Sequence, residues 1–368
     1  YPLMAAVQLV SAHIGRVTGC GLAKNLRDSF PKIVVSALIG LLVVANTINI
    51  GADLSGMAAG AQLIVGGNMH LLVIALALLS TGLQLFIPYH QYARILKWLT
   101  LSLFAYVGVL LSVHLDWPSA LYGLVWPQDL TKMAIATIVA VFGTTISPYL
   151  FFWQSSQEAE ELEDSGQRPL KQAPGKGHSE FRRMRIDTLA GMAFSNLIAL
   201  AIIIATAATL HLHGITEINS AAQAAEALRP FAGRFASLLF ATGIIGTGLL
   251  ALPVLAGSAA FAVSEEHGWK HGLEYLPWQA VRFYSIIVAA AAIGVAIGWT
   301  SVNPIRALFW SAVFNGVAAA PLMVAMMLLA SRRKVMGRFT ASPPLLVLGW
   351  AATAVMAAAT LLFFASLF

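Results

Sequence analysis

The sequence predicts an all-α polytopic membrane protein with about ten spanning helices. Three observations carry that expectation. Hydrophobic residues make up 58% of the 368 positions against 10% charged, with a mean hydropathy of +0.78. The apolar residues fall in long runs, and the basic residues are concentrated in alternate gaps between those runs. No soluble domain buries so much apolar surface, and runs of about 20 apolar residues are what a bilayer core requires.

Residues 1–15 (YPLMAAVQLVSAHIG) are apolar but too short to cross alone. With neither an initiator methionine nor a signal-peptide pattern, the chain reads as starting inside a helix, with N-terminal sequence missing. A polar loop with Arg16, Lys24, Arg27 and Lys32 follows, then a run over 33–65 long enough to tilt, or to break near Gly51-Ala52-Asp53. Further runs cover about 69–88, 96–114, 133–153, 187–210, 235–263, 279–299, 305–330 and 344–368.

With the first loop cytoplasmic, the inside gaps hold 18 of the 22 Lys and Arg residues, and only Lys132, Arg229, Arg234 and Arg306 lie outside. That asymmetry is the positive-inside pattern. It supports the span count, places the chain in a lipid bilayer, and explains the pI near 9.5 without any nucleic-acid partner. The lone cysteine, Cys20, excludes an internal disulfide and any CxxC site. The longest polar segment, 155–185, is acidic first (Glu158, Glu160, Glu161, Glu163, Asp164) and basic later, with Pro169, Pro174, Gly175 and Gly177. It reads as a flexible, solvated cytoplasmic loop, with a regulatory loop as the alternative. The outside segment 211–229 suits a short amphipathic surface helix, and His211 and His213 read as solvent-exposed.

The central stretch is GTTISPYLFFWQ, Gly143 to Gln154, inside an apolar run. Pro148 removes a backbone donor and clashes with the preceding turn, so the helix should break and leave carbonyls near Thr144, Thr145, Ile146 and Ser147 unpaired. Non-helical backbone at membrane depth is tolerated where it is buried in protein or lines a cavity, and broken helices build ion sites in many transporters. The alternative is a kink that only shapes packing.

Polar residues inside the other runs are the remaining signal. Asp53 is an acid well inside an apolar run, where a carboxylate costs several kcal/mol unless protonated, paired or hydrated. Either it accepts protons in a wet cavity, or it is a protonated tie to a neighbouring helix. Asn46, Asn49 and Asp53 stand at i, i+3 and i+7, a polar stripe on one helix face. Asn315 and Asn196 are further intramembrane amides, able to serve a site or to join helices. The glycines from Gly51 to Gly60 and the set Gly243, Gly246, Gly248 point to close helix packing. The chain shows neither a nucleophile, base and orienter set nor an HExxH or P-loop, so it is not read as an enzyme.

Three stretches resemble the Nramp family of proton-coupled divalent-metal transporters. SAHIGRVTGCGLAKNLRDSFP is similar to that family's "SARLGVVTGRDLAE…YP", and IGADLSGMAAGAQL to its third-helix "ATDLAEVIGSA"; TTISPYLFFWQ occupies the place of its sixth-helix "MPHNLYLHS". The resemblance implies a LeuT-type fold of two inverted five-helix repeats, with the metal site between broken first and sixth helices. Here that gives one transporter domain over 1–368: an incomplete first repeat (1–114), a second repeat (133–330) and an extra C-terminal helix (344–368). It further implies a multi-pass protein of a bacterial inner membrane, carrying divalent metal cations of the Mn/Mg/Fe class as substrate by alternating access, in symport with protons and with no cofactor. The metal would meet Thr144, Thr145, Ser147 and Asn315, the proton Asp53, and the site lining would include Asn46, Asn49, Pro148, Tyr149 and Gln154.

The departures are specific. The family's first-helix "DPGN" has no counterpart in this chain, its metal-binding methionine is replaced by Ser147, and its histidines by Tyr149 and Gln154; the third-helix glutamate becomes Gly56. A thioether favours soft and borderline metals, whereas hydroxyl and carbonyl oxygens suit Mg²⁺ or Mn²⁺. The sequence therefore points to a hard-cation relative with Asp53 as the proton carrier. An organic-solute transporter on the same fold, with Tyr149 and Trp153 lining the pocket, and a non-transporting sensor are the alternatives.

Overall fold

Long apolar segments in a bilayer must satisfy their backbone donors internally, and the described residues do so mainly with helices. The computed structural model describes residues 1–367 apart from 88, 116, 119–121, 124–130, 274 and 301. Among the described residues, nine helical segments are long and apolar enough to cross a membrane. Helix α1 (Pro2–Thr18) is a tenth bundle member, buried over most of its length. The short helix α2 (Leu22–Arg27) leads into α3 (Lys32–Val65), which runs unbroken past Gly51.

Helix α4 (Met69–Phe86) is followed by a span in pieces: α5 (Tyr89–Leu96), a 3₁₀ stretch Leu99–Leu103, and α6 (Phe104–Ser112). Then come α7 (Lys132–Thr145), α8 (Pro148–Asp164), α9 (Gly177–Thr209), α10 (Ala236–His267), α11 (Val281–Gly298), α12 (Pro304–Ser331) and α13 (Pro343–Leu367). The segment 211–229 carries a 3₁₀ turn at His211–His213 and a short helix Ala221–Glu226. Both histidines are exposed.

Small residues set the crossings, because interhelical packing in lipid rewards close backbone approach. A Cβ on Gly60 would meet Ile244 and Ala241, one on Gly248 would meet Met57, and one on Gly51 would meet Ile297 and the Gly294 carbonyl. These contacts seat α3 against α10 and α11. Pro253 and Pro321 lie inside α10 and α12 without ending them.

The segments expected inside the cell meet at one end of the bundle. Arg27 donates to the Glu265 carbonyl (2.8 Å), Arg332 to the Ser29 carbonyl (2.9 Å), Lys171 to the Lys334 carbonyl (3.2 Å), and the Leu273 N–H to Glu160 (2.9 Å). At the other end Asn303 donates to the Asn219 carbonyl at 2.6 Å.

The expected flexible loop at 155–185 is corrected here. α8 continues to Asp164 and α9 starts at Gly177, leaving a short linker. Arg16, expected in a loop, is in the last turn of α1 and only 2% exposed. It faces Glu158 at 3.7 Å and Glu161 at 3.6 Å, and pairs with Glu180 on α9. Arg183 closes the cluster on Glu161 at 2.5 Å. The linker is also tied down, through Leu170 N–H to the Arg16 carbonyl and Lys171 N–H to the Val17 carbonyl. The acidic run is ordered because it neutralises a buried arginine on the neighbouring helix.

Candidate functional site at the helix break

α7 is N-capped by the Thr131 hydroxyl and ends where Pro148 withholds an N–H. The last turn closes with Ile146 N–H on the Phe142 carbonyl at 2.7 Å. Ile146 (φ −116°, ψ 66°) and Ser147 (φ −84°, ψ 132°) then leave helical geometry. α8 restarts with Pro148 in its first position, where a missing N–H is harmless. The break falls midway along the 33-residue span Lys132–Asp164.

Among the described residues no backbone N–H reaches the carbonyls of Gly143, Thr144, Thr145 or Ile146. Ser147, 1% exposed, donates its hydroxyl to the Gly143 carbonyl at 2.6 Å and sits 3.3 Å from that of Thr144. The Thr144 and Thr145 hydroxyls donate back to the Val141 carbonyl at 2.9 and 2.8 Å. All three hydroxyls thus spend their protons on the helix and keep oxygen lone pairs for an outside donor or cation. The carbonyls of Thr145 and Ile146 have no donor among the described residues.

Asn315 neighbours a glycine crossing between α7 and α12. A Cβ on Gly143 would fall on the Ala312 carbonyl and the Gly316 nitrogen, so α7 and α12 touch backbone to backbone one residue from Asn315. Asn315 is 3% exposed, and its side-chain oxygen is buried without a hydrogen bond among the described residues. An unsatisfied buried amide oxygen costs about 1–3 kcal/mol, which a cation or a water would relieve.

The polar stripe on α3 divides. Asn46 donates its amide to the Leu255 carbonyl (2.9 Å) and the Ser258 hydroxyl (2.8 Å), so it joins α3 to α10 rather than facing a site. Asn49 is buried and makes no hydrogen bond among the described residues. Ile48 and Phe314 line one cavity of about 500 Å³, which puts Asn49 and Asn315 at a common depth on α3 and α12. Apart from Ser55, Thr300 and Ser311, that cavity is walled by apolar side chains, and none of the break's oxygens line it. Asp53 is half-buried, with neither a hydrogen bond nor an ion pair among the described residues. It lies within electrostatic reach of Tyr149, the residue after Pro148, which packs against both major apolar clusters of the bundle.

Gln154 is turned away from the break. Its amide donates to Glu158 at 3.2 Å and its oxygen accepts from Gln8 at 3.3 Å. Gln8, Arg16 and Glu158 form a buried polar seam between α1 and α8 that sequence reasoning missed. The seam's only sequence signal was that Arg16 directly follows an apolar run. Among the described residues no three His, Cys, Asp or Glu side chains converge as a metal cluster, so the break offers neutral oxygens.

Among the described residues, α1 and nine spanning segments pack as one bundle with one span broken midway, the architecture of the broken-helix transporters. The sequence matches the family described as natural resistance-associated macrophage protein-like over residues 1–366, and the chain belongs to that family, Nramp. Its members are metal-ion transporters rather than enzymes, and the divalent metal is cargo, not a resident cofactor.

The chain is 24% identical over 347 residues to the divalent metal cation transporter MntH of Aeromonas hydrophila, covering 92% of this chain and 79% of that protein. It is 26% identical over 359 residues to MntH of Burkholderia ambifaria, covering 95% and 76%. In fold it matches a crystal structure of a mutant manganese transporter from Eremococcus coleocola with a TM-score of 0.73 at 18% identity, covering 99% of this chain and 77% of that one. The LeuT-type architecture expected from the three motifs is the architecture observed.

Proposed function

We propose that this protein carries a hard divalent cation, Mn²⁺ or Mg²⁺, across a bacterial inner membrane by alternating access, coupled to protons. The observation that carries the reading is the oxygen-only break among the described residues: carbonyls without a donor at Thr145 and Ile146, the Thr144, Thr145 and Ser147 hydroxyls, and the unpartnered oxygen of Asn315, next in sequence to the Gly143–Gly316 crossing. Hard oxygen donors without thioether or imidazole suit Mg²⁺ and Mn²⁺. Asp53 carries the proton, since it is the carboxylate near the break and no cation neutralises it among the described residues. The positive-inside pattern sets the Arg16 end in the cytoplasm.

The test is calorimetric titration of Mn²⁺, Mg²⁺ and Cd²⁺ into the purified protein and its Ser147→Met variant. Saturable Mn²⁺ or Mg²⁺ binding to the wild type, with Cd²⁺ affinity gained in the variant, is the expected result. Binding of none of the three by either protein would overturn the reading.

A further inference from the structure

The loop after α1, the linker between α8 and α9, and the turn after α12 surround a cavity of about 350 Å³ at the basic end of the bundle. Its walls include Thr18, Asp28, Ser29, Lys171, Arg332 and Lys334. Three cations face one carboxylate, and Asp28 is already paired with Arg27 at 3.2 Å. The cations are positioned but not consumed. Arg332 uses one nitrogen on the Ser29 carbonyl (2.9 Å), and its guanidinium lies 4.4 Å over the Phe30 ring, which fixes the plane of the fork. Its remaining N–H groups have no partner among the described residues. Lys171 donates to the Lys334 and Val335 carbonyls at 3.2 and 3.1 Å, leaving one of its three protons free. The Lys334 ammonium makes no hydrogen bond or ion pair among the described residues.

A concave site of this size suits a small ligand, and a planar guanidinium beside two ammonium groups with open donors suits phosphate oxygens. The cavity also sits directly beyond the end of α12 at Ser331, at the end of the bundle where basic residues gather, a setting that favours anionic headgroups. We propose that this cavity binds a phosphate group, carried either by an acidic phospholipid headgroup or by a free anion.

The experiment measures two affinities of the purified protein: for phosphatidylglycerol in phosphatidylcholine vesicles, against pure phosphatidylcholine, and for inorganic phosphate in detergent. Each is repeated on Lys171→Ala/Arg332→Ala/Lys334→Ala and on a control lacking three exposed basic residues of the same end, Arg182→Ala/Arg185→Ala/Arg282→Ala. A loss of about a hundredfold in the first triple variant but not in the control supports the proposal. Loss in the vesicle arm assigns the phosphate to a lipid, and loss in the inorganic phosphate arm to a free anion. Equal behaviour of the two triple variants, or no binding by the wild type in either arm, overturns it. If the pocket triple variant does not fold, Lys334→Gln decides the matter, because the Lys334 side chain is exposed and holds no hydrogen bond or ion pair among the described residues; a loss of about tenfold is then expected.

Discussion

Gly143 and Gly316 pack backbone against backbone where α7 crosses α12, and a side chain on either would overlap main-chain atoms of the other helix. That crossing brings the α12 backbone beside Asn315 against the last turns of α7 before the break. Overpacking at such a contact costs about 1–3 kcal/mol. Gly143→Ala or Gly316→Ala should therefore lower thermal stability and weaken Mn²⁺ binding together, as read by thermal unfolding in detergent and by calorimetry. Retained binding in a folded Gly316→Ala protein would show that α12 does not contribute to the site.

Ser147 holds the broken end of α7 by donating to the Gly143 carbonyl from a buried position. Ser147→Ala leaves that carbonyl without a donor, at about 1–3 kcal/mol, and removes one oxygen from the candidate site. A fall in both unfolding temperature and Mn²⁺ affinity is expected, while Thr144→Val, at an exposed position, should lower affinity with little change in stability. If Thr144→Val proves as destabilising as Ser147→Ala, the capping argument fails.

Arg16 and the glutamates around it form a second, structural unit. Removing one partner of a buried charge pair costs about 3–5 kcal/mol, because the other charge remains in a low-dielectric setting. Arg16→Met should be severely destabilising, and Arg16→Met/Glu158→Met should recover most of the loss, since Glu158 is then no longer a buried lone charge. Unfolding curves of the three proteins check this. A double variant no better than the single one would mean that Glu161 and Glu180, which also face Arg16, dominate the cluster.

The architecture was readable because bilayer physics leaves few options: run lengths gave the spans, and the basic residues gave their direction. The break was readable for the same reason, since one proline among threonines and serines in an apolar run has few structural outcomes. Polar residues near the ends of spans were not. Arg16 and Glu158 look like loop charges, and only the pairing of α1 with α8 and α9 reveals that they neutralise each other out of solvent. Asn46 and Asn49 share one helix face in the sequence, yet the packing partner decides their roles. Asn46 meets the Leu255 carbonyl and Ser258 on α10, while Asn49 makes no hydrogen bond among the described residues. Gln154 likewise followed the sixth-helix pattern in sequence but turned to Gln8 and Glu158 in space.

Asp53 stands apart from both units. It is half-buried in a continuous helix, it lies within electrostatic reach of Tyr149 beside the break, and it has no bonded partner among the described residues. A structural carboxylate at this depth would be tied to a neighbouring helix, and its removal would cost the energy of that tie. A proton carrier needs the reverse: space for exchange and no permanent partner. Asp53→Asn should therefore change stability by no more than about 1 kcal/mol, while abolishing the stimulation of Mn²⁺ uptake by an inward proton gradient in proteoliposomes. Equilibrium Mn²⁺ binding should persist, because the carbonyls and hydroxyls at the break are untouched. Uptake by Asp53→Asn that still follows the gradient would remove Asp53 from the proton path. A large loss of stability would instead make it a helix tie.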